Sequence, residues 1–157
     1  MFSQNYFEII PDWNIEVDNL WAIILNKLET KSRLIKNKAM ELVTYHDSCY
    51  LGRYNDVYES PRESLQKISS FDYVEMPRNK SKGFCCGAGG GRMFLEDEEG
   101  SKINIERTKE ALDTGTDNIA SACPFCMTML TDGVKHFEKT EEVKVKDIAE
   151  IVLENSN

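Results

Sequence analysis

Five cysteines are the residues of this chain best suited to chemistry: Cys49, the adjacent Cys85 and Cys86, and Cys123 and Cys126 in Cys123-Pro124-Phe125-Cys126. Thirty-five residues separate Cys49 from Cys85, and 36 separate Cys86 from Cys123. Thiols grouped as one, two and two point to a metal or cluster site rather than to bridges. Neighbouring cysteines seldom close a disulfide, because the small ring strains the peptide between them, and an odd count leaves one thiol over. The first residues, Met1 to Tyr6, show no basic stretch leading into an apolar run, so no secretory leader and no oxidising compartment are expected. The expected location is cytoplasmic, or the cytoplasmic face of a membrane complex reached through partners.

The donor count leaves the metal open. Zinc takes four tetrahedral ligands and a cubane [4Fe-4S] cluster takes four thiolates, so either leaves one of five cysteines unexplained. A different chemistry, a thioredoxin-like dithiol at Cys123 and Cys126, predicts that Cys49 and Cys85 are dispensable. The local surroundings suit ligation. Pro124 is apt for the first turn of a helix, which puts Cys123 at a helix N-terminus, where the dipole and free N–H groups favour a thiolate, with Cys126 one turn on. In extended backbone Cys85 and Cys86 would face opposite ways, so both serve one site only if the chain turns there. The run Gly87-Ala88-Gly89-Gly90-Gly91 supplies that freedom and lets N–H groups approach a cluster's sulfurs. As a phosphate cradle the run lacks the Lys-Ser/Thr ending of a nucleotide loop.

The elements that must position these thiols read as alternating strands and helices. Phe7 to Ile10 is a short strand stopped by Pro11, and Val17, Leu20, Trp21, Ile24 and Leu28 share a helical face. Charged residues from Glu29 to Lys38 form a linker or helix extension. Glu41 to Tyr45 is a strand, Ser60 an N-cap with Pro61 and Glu63 behind it, and Phe71 to Met76 the next strand. A helix within Ser101 to Asp113, a strand over Asn118 to Ala122, a helix from Pro124 past Val134, a strand over Val143 to Val145 and a helix from Asp147 to Leu153 complete the pattern. This is an α/β fold: a small, mainly parallel sheet flanked by helices, with the cysteine loops gathered at the carboxyl ends of the strands, where open sheets bind ligands. Residues 1–40 form an N-terminal segment packed on the same domain, and residues 41–157 the cysteine-rich domain.

Composition limits the function classes. A chain of 157 residues with 41% hydrophobic and 29% charged residues has the make-up of one soluble domain. Its net charge of -8 disfavours nucleic acid, and no apolar run approaches the ~20 residues a membrane-spanning helix needs.

Three segments carry a family resemblance: Tyr45-His46-Asp47-Ser48-Cys49-Tyr50-Leu51-Gly52-Arg53, the stretch Phe84 to Met93 around Cys85-Cys86-Gly87, and Ala122-Cys123-Pro124-Phe125-Cys126. Together they resemble the cysteine-rich CCG domain found in the B-type and D-type subunits of heterodisulfide reductase and in the iron-sulfur subunits of glycolate oxidase. The resemblance covers about Leu42 to Leu153. It implies an oxidoreductase component in which Cys49, Cys85, Cys86, Cys123 and Cys126 all hold a noncubane [4Fe-4S] cluster, for electron transfer or disulfide reduction. Some relatives place zinc in such a domain, which keeps a non-catalytic zinc or cluster module as the alternative. Ser48 and Phe94 depart from the Pro and Trp of many relatives without removing a ligand. A second CCG motif and a ferredoxin-type cysteine run are absent from this sequence. The implied partners are therefore a second CCG domain or subunit and a ferredoxin-like or flavoprotein subunit. His46 reads first as a structural hydrogen-bonding group and His136 as solvent-facing. Arg53 and Arg92, flanking two cysteine segments, could offset thiolate charge or hold an anion. Tyr50, Tyr54 and Tyr58 read as packing around the site.

Overall fold

The segment Glu41-Leu42-Val43-Thr44-Tyr45-His46 combines β-branched and aromatic side chains, and it becomes the buried strand β1. The computed structural model describes residues 40–68, 71–94 and 102–155. The expected strand at Phe7 to Ile10, the helix through Val17 to Leu28 and the linker from Glu29 to Lys38 lie outside the described residues. After β1 come a short helix α1 (Gly52–Asn55), helix α2 (Glu59–Gln66) and strand β2 (Phe71–Val74). A long loop with two 3-10 turns, Lys80–Lys82 and Gly89–Phe94, precedes helix α3 (Ile103–Leu112). Strand β3 (Asn118–Ser121), helix α4 (Pro124–His136), strand β4 (Lys144–Asp147) and helix α5 (Ile148–Glu154) follow.

The four strands form one sheet in the order β2-β1-β3-β4, and every neighbouring pair is parallel. The chain leaves β1 towards β2 and then returns to the other side of β1 as β3. That reversal opens a crevice outside the carboxyl ends of β1 and β3, where α/β sheets bind ligands. Pleating sends alternate side chains to two helical layers. Val43, Tyr45 and Ala120 pack with Leu65, Ile68, Ile148 and Ile151 on one face. Ile119 packs with Met76, Ala111, Leu130 and Val134 on the other.

Two boundaries differ from expectation. The β2 ladder ends at Thr44 opposite Val74 rather than running to Met76, because Glu75 turns to meet Arg62 and Met76 drops into the core ahead of Pro77. Helix α2 starts at Glu59, with Tyr58 at the N-cap and no side-chain cap, so Ser60 lies inside the helix. The Tyr58 carbonyl accepts from Arg62 Nη1 at 2.7 Å, and Ser60's carbonyl accepts the Ser64 hydroxyl at 2.8 Å. At the other end of the domain the expected start at Asp147 holds: its side chain accepts from Ala149 N at 2.8 Å, and Glu150 completes a capping box.

Candidate metal centre

Each cysteine group follows from local chain chemistry. Cys49 lies three residues beyond the end of β1, on the turn that leads into α1. Cys123 lies two residues beyond the end of β3, as the N-cap of α4 with Pro124 behind it, and its sulfur takes backbone hydrogen bonds from Phe125 and Cys126. Cys126 is carried on the first turn of that helix and is buried. Cys85 and Cys86 sit well past β2, so the loop must be brought back over the sheet edge. Gly87 makes the turn with φ +92, donates its N–H to Cys85 Sγ at 3.3 Å, and lies where a Cβ would meet Ile103 Cβ at 3.2 Å.

A charged brace holds this loop. Asp47 accepts Arg62 Nη1 at 2.7 Å, Arg62 Nη2 at 2.9 Å and the Lys80 N–H at 2.7 Å. Arg62 also meets Glu75 at 2.6 Å and 3.1 Å. Arg53 Nη2 donates to the Gly83 carbonyl at 2.7 Å, tying the Cys49 helix to the Cys85 loop. On the far side Glu110 accepts the Arg78 N–H at 2.6 Å and Arg78 Nε at 2.8 Å, while the Arg78 guanidinium covers the Phe84 ring at 3.8 Å. Asp47, Arg62, Arg107 and Glu110 were not singled out from sequence. A signal existed for Arg107, which stands four residues after Ile103 and four before Ala111, on the stripe of α3 that faces inward.

The result is a cleft lined by Cys49, Cys85, Cys86 and Cys126 together with His46, Asp47, Arg53 and Lys80. Cys123 joins through its hydrogen bond with Cys126. No disulfide joins the five. Their electrostatics are those of sulfurs sharing too few protons. The single S–H of Cys126 lies between Cys123 and Cys86, and these two hydrogen-bonding neighbours together with burial drive its own thiol far up. The Cys126 donor holds Cys86 well below the ordinary thiol range against the cost of burial, and His46 adds to the effect. The same donor, with the helix N–H groups, brings Cys123 down to about 6. Burial pushes the Cys49 thiol up, and the charges of Cys86, Cys85 and Cys123 push it further. Mutual repulsion of this kind is relieved by a bound cation, which replaces shared protons. The donor set therefore fits a thiolate-held metal group, with backbone N–H groups already aimed at four sulfurs, those of Cys49, Cys85, Cys86 and Cys123.

His46 Nε2 or Nδ1, Cys86 Sγ and Cys126 Sγ lie within 4.8 Å of one another. His46 is buried, at 1% exposure, while His136 is exposed as expected. Arg53 and Arg92 are exposed, but only Arg53 lines the cleft. Tyr58 lines it too, whereas Tyr50 and Tyr54 stack on each other at 5.4 Å and stay 49% and 68% exposed, facing water rather than packing around the site.

The sequence pattern of the CCG cysteine-rich domain matches residues 43–131, from β1 into α4, more than half of the chain. The chain belongs to the CCG cysteine-rich domain family. Members similar to it include a probable iron-sulfur-binding oxidoreductase, FadF, of Bacillus subtilis, 42% identical over 99% of this chain and 22% of the relative. An EtfAB:quinone oxidoreductase of Syntrophomonas wolfei is 44% identical over 82% of this chain and 19% of the relative. The D-type subunit of the dihydromethanophenazine:CoB--CoM heterodisulfide reductase of Methanosarcina barkeri is 41% identical over 71% of this chain and 27% of the relative. The chain thus spans about a fifth to a quarter of the length of these CCG relatives. No solved structure matches it. Among the described residues no helix is long and apolar enough to cross a membrane.

Proposed function

We propose that this CCG domain is the cluster-holding part of an iron-sulfur oxidoreductase component, with Cys49, Cys85, Cys86, Cys123 and Cys126 binding a [4Fe-4S] group of the noncubane kind. The observation that carries the reading is the convergence of four thiols from three distant loops on one crevice, with Cys123 hydrogen-bonded to one of them, Cys126. When bound, such a group accepts and donates single electrons and can take a substrate sulfur at an open iron. The chain's own residues supply the rest. Gly87 N and the N–H groups of Phe125 and Cys126 stabilise negative sulfur, and Arg53 and Lys80 place positive charge at the cleft where an anionic or sulfur-bearing partner would enter.

The names of the relatives, one an EtfAB:quinone oxidoreductase and one a heterodisulfide reductase subunit, support work inside a larger assembly. We place a second CCG domain or subunit and a ferredoxin-like or flavoprotein subunit there, on the cytoplasmic side. The zinc module stays as the second reading because of the His46, Cys86 and Cys126 cluster, whose donor types are those of a zinc site.

Iron, sulfide and zinc content with an EPR spectrum, on protein purified without oxygen, decides between the two. About four irons and four sulfides per chain, with a signal altered by Cys→Ser at each of the five positions, is expected. One zinc and no iron would replace the proposal with the zinc module.

A further inference from the structure

His46 ends β1 on the face covered by α3, and Arg107 reaches it from there. Arg107 Nε donates to His46 Nδ1 at 3.0 Å, and both side chains are buried, Arg107 at 0% exposure. A guanidinium has no acceptor, so Nδ1 must present its lone pair, and a neutral imidazole then carries its proton on Nε2. The ring's second polar atom is thereby a donor, and His46 is hydrogen-bonded to Cys86. Arg107 is itself held in place: Nη1 donates to the Arg78 carbonyl at 2.8 Å and to Glu110 Oε2 at 3.1 Å. Glu110 in turn grips Arg78 in the loop that delivers Cys85 and Cys86. The arrangement anchors Arg107 on Glu110 and runs as a directed donor chain from Arg107 through His46 to one sulfur.

We infer that Arg107 fixes His46 as a hydrogen-bond donor to Cys86 Sγ and keeps it out of the ligand set, making the two a positioning pair for the metal group. The inference rests on the cluster reading above. A ring whose Nδ1 is occupied by Arg107 and whose Nε2 is protonated has no lone pair for a metal, although it lies as close to Cys86 and Cys126 as a ligand would. An N–H donor at a ligating sulfur stabilises the more negative, reduced state, so the pair raises the reduction potential of what Cys86 holds.

The test compares wild type, His46→Phe, His46→Gln and Arg107→Met, purified anaerobically, by iron content, midpoint potential and electron-nuclear double resonance on 15N-histidine-labelled protein. Wild type should show no directly bonded histidine nitrogen. His46→Phe should keep its iron and lose about tenfold in the one-electron equilibrium constant, ~59 mV downward. His46→Gln, which restores an N–H donor, should recover most of that shift, a rescue that simple packing at this site would not give. Arg107→Met should move the potential the same way, and if it does not fold, the two His46 variants decide alone. A directly bonded histidine nitrogen, loss of iron in His46→Phe with retention in Arg107→Met, or equal potentials for wild type and His46→Phe would each overturn the inference. A chain holding zinc and no iron defeats the cluster reading instead. Zinc-edge absorption then rules on the pair: sulfur-only ligation upholds it and a nitrogen ligand overturns it.

Discussion

Asp47 illustrates how much of the candidate site is organised by residues other than the cysteines. It stands two residues before Cys49, and its two oxygens collect Arg62 from α2 and the backbone of Lys80 from the loop before Cys85. Two of the three cysteine segments are thus pinned to one carboxylate by the protein's own side chains and backbone. The thiols themselves are unequal by position. Cys123 at the head of α4 is half-buried with its pKa brought down to about 6, while Cys49 is raised by burial and by its neighbours' charge. In metal-free, reduced protein, iodoacetamide labelling of Cys123 should therefore rise through a midpoint near pH 6 and level off where an ordinary thiol, near ~8.5, is still climbing. The linkage has a definite sign. A depressed thiol pKa contributes stability that is full above the unfolded value and is lost as pH falls through about 6. Peptide mapping after labelling across pH 5 to 9 makes the measurement, and a Cys123 midpoint near ~8.5 would defeat the account.

Helices α3 and α4 show what the elements contribute. Gly133 of α4 lies so near α3 that an added Cβ would stand 2.0 Å from Thr108 Oγ1 and 2.6 Å from its Cβ. This contact sets the separation of the helix that presents Cys123 and Cys126 from the helix that presents Arg107. Gly133→Ala adds about 1 kcal/mol of helix propensity, but overpacking of this severity belongs at the upper end of ~1–3 kcal/mol. A net loss of about 1–2 kcal/mol is expected in urea unfolding. Adding Thr108→Ala should recover part of it, since two of the three clashing atoms leave and Cβ remains. A neutral Gly133→Ala would show that the helices part without cost. The sequence marks these elements well: the β-branched stretch at Glu41 to Tyr45, Pro124 behind Cys123 and the helix expected from Asp147 all became what their chemistry predicts. The start of α2 escaped it, because Ser60 carries every local cap signal while Arg62 draws its turn towards Tyr58, Asp47 and Glu75, contacts that exist only across the fold.

For the whole molecule, the parallel sheet and its reversal at β1 and β3 turn three remote loops into one rim. Under the cluster reading, the metal group cross-links those loops and its binding free energy is folding free energy. Stripping it with chelator and mild oxidant should lower the calorimetric midpoint by on the order of 10 °C, since each kcal/mol moves a chain of this size by about 2–4 °C. An unchanged midpoint after complete loss of iron would show that the charged brace of Asp47, Arg62 and Glu75 organises the rim unaided. The chain's short span within its relatives makes partner docking the next question at this scale.

The cysteine grouping, the alternation of strands and helices and the mainly parallel α/β class were legible along the chain, because periodicity, β-branching, proline at a helix start and glycine at a turn act over a few residues. The family signature lay in the same local segments. Tertiary structure decided which charges serve the sulfurs. Arg62 meets Asp47 across 15 positions and Arg107 meets His46 across 61, and no local pattern links them. Such pairs form only once the sheet has placed β1 beneath α2 on one side and α3 on the other. The physical reason is that a buried charge is tolerated only where its partner is already held, and that partner is chosen by the fold.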